Sequence, residues 1–230
     1  MSDDPFLLSQ KFPAAPNYLI QMYLFQREGQ PVVGSRISER LGVSAAAVTQ
    51  SMGRLVSRGL VRHDAVRGFA LTEEGRTVAE RVVSRHYLVE RLLVDQLDVR
   101  WDVADEEAVH LQGSLTPRLE SILMERLGHP QTCPHGNPFP GSPNESRILA
   151  APPLTALDTE DSGRLIRVTE EGELVPGLLA FCSESGLCLG VELSVLGGDQ
   201  ESVEISLSGA PLAVPVVYAR HICIEIDDQA

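Results

Sequence analysis

The sequence predicts a mostly α N-terminal part containing a winged helix-turn-helix, followed by an all-β C-terminal part. Three observations carry this. From Asn17 to about Ile122, apolar residues recur at three-and-four spacing with few prolines, the period of amphipathic helices. From Gly128 to Pro153 the stretch GHPQTCPHGNPFPGSPNESRILAAPP is dense in Pro and Gly and reads as a loop or linker. From about Gly163 onward, the runs RLIRV, GLCLGVELSVL, SVEISLS, LAVPVVYA and HICIEI are separated by Gly-containing turns, as a small barrel or sandwich requires.

The chain of 230 residues has 43% hydrophobic and 22% charged residues, which suits an ordinary folded core. No stretch approaches the roughly 18 continuous apolar residues of a membrane span. The opening MSDDPFLLSQKF has no positive n-region, so the expectation is a cytoplasmic protein without a membrane partner. Four cysteines, irregularly spaced and without a CxxC pair, are expected to be reduced thiols rather than a disulfide framework or a structural zinc site. The net charge is −13, but it is uneven: residues 1–90 carry +2 and residues 91–230 carry −15. A half with clustered arginines joined to an acidic half suits a regulator better than a substrate-steering enzyme.

The most specific stretch is SRISERLGVSAAAVTQSMGRLVSRGLVRH, Ser35 to His63. Ile37, Leu41 and Val43 fit the buried face of a first helix, which Gly42 ends where a positive φ is wanted. Ser44 can cap a second helix with Val48, Met52 and Leu55 on its buried face. Its exposed face then carries Ala45, Ala46, Ala47, Thr49 and Gln50. Small residues let a helix approach base edges, methyl groups can meet thymine, and glutamine can bond adenine at two points. Two β-like runs, about Val61–Asp64 and Phe69–Thr72, flank a turn around Arg67-Gly68 and form a wing. Arg54, Arg58, Arg62 and Arg67 are available for phosphates. The plainer reading, a helical hairpin with solubilising arginines, explains neither the small exposed face nor the order of these features.

Farther on, VVSRHYLVERLL sets His86 and Glu90 one helical turn apart. By spacing alone they are either metal ligands or a surface ion pair. Cys133 and His135 in TCPHGNPFPG offer a sulfur and an imidazole, within what reads as a proline-glycine connector. Cys182, Cys188 and Cys223 lie in apolar β-like runs and read as core cysteines. Val103 to Leu127 reads as two helices broken at Thr116-Pro117. Their apolar positions Val109, Leu115, Leu119, Ile122 and Leu123 suit either a dimer interface or the core of the chain itself.

The ordered motifs NYLIQMYLFQREG, RISERLGVSAAAVTQSMGRLVSRGLV, LTEEGR, RHYLVERLL, DEEA and GNPFPG resemble the diphtheria toxin repressor and manganese transport regulator family. These are iron- or manganese-dependent transcriptional repressors. The resemblance implies three parts: a winged helix-turn-helix over 1–80, a helical metal-binding and dimerisation domain with the Pro/Gly-rich linker over 81–150, and a small β-barrel of Src-homology-3 type over 151–230. It also implies double-stranded DNA as partner, with a palindromic operator, and a homodimer. Arg36, Ser44, Ala46, Ala47, Thr49, Gln50 and Arg54 match the family's DNA-contacting positions.

For the metal, the resemblance implies Mn²⁺ or Fe²⁺ at His86, Glu90 and Asp105. Asp105 stands where relatives have histidine and can still bind a hard cation. The family's other site corresponds to Asn17, Val109, Gln112 and Gly113. Val109 and Gly113 have no donor atoms, which leaves Asn17 and Gln112 as weaker candidates there, while Glu106 or the barrel domain could add a further donor to the first set. His110 neighbours this second set and could replace a lost donor, though the expectation is that it faces solvent or a partner subunit. Ligands that some relatives draw from the barrel would fall near Val175, Pro176 and Gly177, so Glu171 and Glu173 are not counted. The implied function is a metal-dependent homodimeric regulator, probed against a metal-independent or differently gated regulator of the same fold. A metal-dependent enzyme is disfavoured, because no Ser-His-Asp set, phosphate-binding Gly loop or paired-carboxylate cleft accompanies the cluster.

Overall fold

The computed structural model describes residues 12–64 and 68–226. Packing divides the chain into two compact units. The first comprises Met1–Val89 with Ala108–Arg126, the second Glu90–Glu107 with Leu127–Ala230. The boundary therefore falls inside one long helix, between Val89 and Glu90.

The first unit begins with α1 (Ala15–Arg27), whose Tyr18, Leu19, Met22 and Tyr23 are buried. Then come α2 (Gly34–Leu41) and α3 (Ala45–Ser57), the expected helix-turn-helix. Gly42 adopts the left-handed conformation that stops α2, and the Ser44 hydroxyl accepts the Ala47 amide at 3.2 Å to start α3. Val48, Met52 and Leu55 face inward as the spacing predicts. Ile37 is buried, but Leu41 and Val43 are only half-buried, because both sit at the turn where the chain leaves the core. The wing is a hairpin of β1 (Val61–Asp64) and β2 (Gly68–Leu71). Its expected turn residue Arg67 lies outside the described residues.

Helix α4 (Glu73–Leu97) is 25 residues long. The Thr72 hydroxyl accepts the Gly75 amide at 3.0 Å, and Glu73 and Glu74 in the first turn complement the helix dipole. A side chain at Gly75 would place its Cβ 1.8 Å from the Leu60 carbonyl oxygen, so this helix can lie against the start of the wing only through glycine. Within the same unit, Arg85 bonds Glu120 at 2.9 Å and Arg81 approaches the same carboxylate at 3.7 Å. Glu120 belongs to α6 (Pro117–Arg126), which follows α5 (Ala104–Leu111) after a 3-10 turn, Gln112–Ser114. The break at Thr116-Pro117 is thus where the sequence puts it. Val109, Leu119 and Ile122 are exposed while Leu115 is buried, so the first three are not part of this chain's own core.

The second unit holds α7 (Glu145–Leu149), then β3 (Ser162–Val168), α8 (Glu170–Glu173), α9 (Leu178–Ser185), β4 (Glu192–Gly198), β5 (Ser202–Leu207), β6 (Ala210–Pro215), α10 (Val216–Ala219) and β7 (Ile222–Ile226). The five strands form one antiparallel sheet in the order β6-β5-β4-β3-β7. Among the described residues β6 and β7 do not pair, so the sheet is not a closed barrel. Its core is aliphatic: Leu165, Leu193, Val195, Ile205, Val214, Ile222 and Ile224 pack against Leu178 and Cys182 of α9. Two β-like runs are partly helical instead. Cys182 is buried in α9, Cys188 is exposed in the following loop, and Val216–Ala219 turns helical after Pro215. Short apolar runs do not distinguish a buried helix from a strand. Among the described residues no helix is long and apolar enough to cross a membrane.

Gly75→Ala is expected to lower stability by about 2 kcal/mol or more, through forced overpacking against backbone. Gly53→Ala, in α3 with nothing within 4 Å of the new Cβ, should instead gain about 0.5–1 kcal/mol. Thermal unfolding of the two variants measures both.

Candidate functional site

The Pro/Gly-rich stretch is not the exposed connector its composition suggests. Cys133 to Phe139 are all buried, and several of their backbone carbonyls are satisfied inside the second unit. Arg91 of α4 donates to the Thr132 carbonyl at 2.8 Å and the Cys133 carbonyl at 3.0 Å. The Trp101 indole donates to the Pro134 carbonyl at 2.9 Å, and the Val168 amide donates to the His135 carbonyl at 2.8 Å. Gly136 has φ +90°, and a Cβ there would lie 2.1 Å from the Ile166 carbonyl oxygen. Only glycine lets this loop press against β3.

The loop carries His135 and Cys133 to Glu90. His135 Nδ1 lies 3.2 Å from Glu90 Oε1 and 3.4 Å from Glu173 Oε2, and 3.9 Å from Cys133 Sγ. Its other ring nitrogen, Nε2, lies 2.9 Å from the Trp101 carbonyl oxygen. That carbonyl is an acceptor, so Nε2 carries the proton and Nδ1 faces the three donors. A backbone carbonyl behind one ring nitrogen and converging ligands before the other is the usual posture of a metal-binding histidine.

Glu173 reaches this cluster although the resemblance put barrel ligands near Val175. The Thr169 hydroxyl accepts the Gly172 amide at 3.0 Å, which caps the four-residue α8 and folds Glu173 inward until its side chain is 4% exposed. Asn137 steadies it: its amide donates to Glu173 Oε1 and to the Val168 carbonyl, while its Oδ1 accepts Arg167 Nε at 2.6 Å. Arg167 is 1% exposed.

Burial disfavours charge throughout this cluster, and its groups answer differently. Burial pushes the Cys133 thiol up to about 12, with Glu90's negative charge adding to the shift. Burial alone would lower His135, but Glu173, the Cys133 contact and Glu90 together hold it well above its ordinary value. Burial raises Glu173 well above the usual carboxyl range; His135 opposes this, and Glu170, Glu90 and Asp105 reinforce it. A cation at Nδ1 would relieve all three strains.

Of the expected set, His86 and Glu90 lie one turn apart on α4 and Asp105 stands in the first turn of α5. His86 and Glu90 are buried and Asp105 is half-buried, so they are not a solvated surface pair. Glu90, 1% exposed, belongs both to this expected set and to the group with Cys133 and His135, whose ligand atoms lie within 4.8 Å of one another. Glu106 is exposed and in neither group. Asn17 and Gln112 are elsewhere: the Gln112 amide donates to Asn17 Oδ1 at 3.5 Å, with Val109 and Gly113 beside them. Those four positions do not fit a divalent cation, having neutral oxygens at two and no donor side chain at the others. His110 is exposed, as expected.

On the nucleic-acid side, Ser44, Ala46, Thr49, Gln50 and Arg54 are exposed on α3 or at its start, while Ala47 and Arg36 are half-buried. Thr49 Oγ1 donates back to the Ala45 carbonyl at 2.9 Å, which turns its methyl outward. The guanidinium of Arg36 lies over the Phe25 ring at 5.7 Å and that of Arg54 over Phe12 at 5.2 Å. Both are braced against aromatic faces.

Asn137→Ala is expected to lower the urea midpoint, costing about 3 kcal/mol, because it strips a partner from buried Arg167 and from the Val168 carbonyl.

Residues 13–69 match the N-terminal DNA-binding domain of iron-dependent repressors, and residues 72–141 match the metal-binding and dimerisation domain of the same proteins. The chain is 38% identical over 153 residues to the iron-dependent repressor IdeR of Mycobacterium tuberculosis, covering 66% of this chain and 64% of that protein. It thus spans slightly under two thirds of that relative. It is 34% identical over 161 residues to the diphtheria toxin repressor of Corynebacterium diphtheriae, covering 68% of this chain and 71% of that protein. A manganese-dependent transcriptional repressor solved in complex with manganese superposes with a TM-score of 0.82 at 31% identity, over 92% of this chain and 99% of the other.

Proposed function

This chain belongs to the iron-dependent repressor family, and from that premise we propose that it is a homodimeric, metal-dependent repressor of transcription. Residues 1–80 are the DNA-reading head, 81–150 the metal and dimerisation part, and 151–230 a small β part of Src-homology-3 type. It is a regulator without catalytic activity, working in the cytoplasm on metal-homeostasis genes. The observation that carries the reading is the buried meeting of His135 and Cys133 with Glu90, with Glu173 at 3.4 Å from the same imidazole nitrogen.

A bound divalent ion, Fe²⁺ or Mn²⁺, supplies the positive charge these buried donors lack. The thiol of Cys133 tilts the choice toward Fe²⁺, since sulfur prefers the softer ion. Glu90 holds the centre from α4, His135 and Cys133 from the buried loop, and Glu173 from α8. Val109, Leu119 and Ile122, exposed in the single chain, are covered by a second copy. A two-fold dimer presents two α3 helices to a palindromic operator. Ser44, Ala46, Ala47, Thr49 and Gln50 meet base edges, and Arg36 and Arg54 meet phosphates. A nearly complete switch requires the ion to favour the DNA-competent dimer by about 10⁴-fold.

Fluorescence anisotropy on duplex DNA from the chain's own promoter tests this. Chelation should weaken binding by at least about 10-fold, and Glu90→Gln should reproduce that loss with metal present. Unchanged affinity under chelation would leave a regulator of the same fold with some other gate. No duplex binding at any ferrous or manganous concentration would sink the reading. Gln50→Ala should cost about 1–3 kcal/mol of base discrimination, whereas Arg54→Ala should lower the salt dependence by about one counterion.

A further inference from the structure

The first unit contains a cleft of about 260 Å³ at the positions where the family resemblance implies a second metal site. Asn17 and Gln112 face each other there, with His110, Val109 and Gly113 around them and two prolines, Pro13 and Pro16, completing the wall. No carboxylate or thiol lines it. Gln112 is 5% exposed, and its amide donates to Asn17 Oδ1. Its own carbonyl oxygen, Oε1, is buried without a hydrogen-bond partner among the described residues.

We infer that this cleft is a metal-free amide clasp: the Gln112–Asn17 hydrogen bond joins α1 to the turn after α5 whether or not metal is present, and the chain's metal response is confined to the centre containing Glu90. The inference deepens the proposed function and rests on it for the location of that centre.

Two physical facts support the clasp. Stripping water from a divalent cation is repaid by several anionic or strongly basic donors; the amides here are neutral, and the cleft's single imidazole, His110, is exposed to solvent. One of the two amides is already engaged with the other. The missing donors are also not a steric necessity. A Cβ at Gly113 would meet nothing within 4 Å, and this glycine has no positive φ that would demand it. The cleft has room for a ligand side chain that the sequence does not supply. It is the charge of the site, and not its shape, that keeps a cation out.

Equilibrium dialysis of the full-length protein against Co²⁺ and Mn²⁺, with bound metal counted per chain, decides the matter. Circular dichroism reports that each variant is folded. Glu90→Gln should take up no ion, while Asn17→Ala/Gln112→Ala should keep the wild-type stoichiometry. Adding Asn17→Asp, Gln112→Glu and Gly113→His to the Glu90→Gln chain should restore one ion per chain. An ion retained by Glu90→Gln and then lost on adding Asn17→Ala/Gln112→Ala would overturn the inference. So would a folded triple variant that still takes up none, because missing charge would then not be what excludes the cation. Wild-type protein that binds no ion would count against the metal-gated reading, while the triple variant would still decide this one.

Discussion

The buried carboxylate of Glu90 is the constraint on which the proposed metal chemistry depends. A carboxylate at 1% exposure is tolerable only with a positive or hydrogen-bonding neighbour. The chain supplies His135 Nδ1 at 3.2 Å, and it does so from a loop more than forty residues away in sequence. Everything that brings the loop there is therefore part of the centre. This includes the Arg91 clamp on the Thr132 and Cys133 carbonyls, the Trp101 carbonyl behind the imidazole, and the glycine at 136 that admits β3. The interior position is stabilised because the Cys133, Pro134, His135 and Asn137 carbonyls all have hydrogen-bond donors, which an ordinary exposed connector would not need.

Helix and turn signals were legible in the sequence because they are local. Gly42, Ser44 and the spacing of Val48, Met52 and Leu55 place α2 and α3 without knowledge of the rest. His86 and Glu90 were legible for the same reason, since four residues apart on a helix means one face. The burial of Cys133 and His135 was not legible. Proline and glycine mark a break in regular structure, and composition does not say whether the break lies in water or in the core. The only available signal was that CPH put two ligand types within three residues, a pattern a plain connector has no use for.

Glu173 illustrates a different limit. Counting along the sequence from the family's positions led to Val175, which has no ligand atom. Glu173 stands two residues away, turned inward by the four-residue helix begun by Thr169, whose closeness to His221 requires glycine at 172. Likewise, the shift of Cys182 into a helix and of Cys188 to the surface follows from packing against the sheet, which local apolarity cannot foresee.

The same long helix gives its arginines acceptors away from the proposed centre. Arg85 and Arg91 flank His86 and Glu90 in sequence, and a guanidinium that paired with the Glu90 carboxylate would compete with a cation. Arg85, 2% exposed, is taken by Glu120 at 2.9 Å. Arg91 spends its donors on the Thr132 and Cys133 carbonyls, the Thr132 hydroxyl and Asp95. A bidentate arginine–carboxylate pair is among the strongest polar contacts a protein makes, so one at Glu90 would compete directly with an ion. Both arginines thus have acceptors of their own, and the Glu90 carboxylate has the imidazole of His135 at 3.2 Å, a group that a divalent cation can bind alongside it.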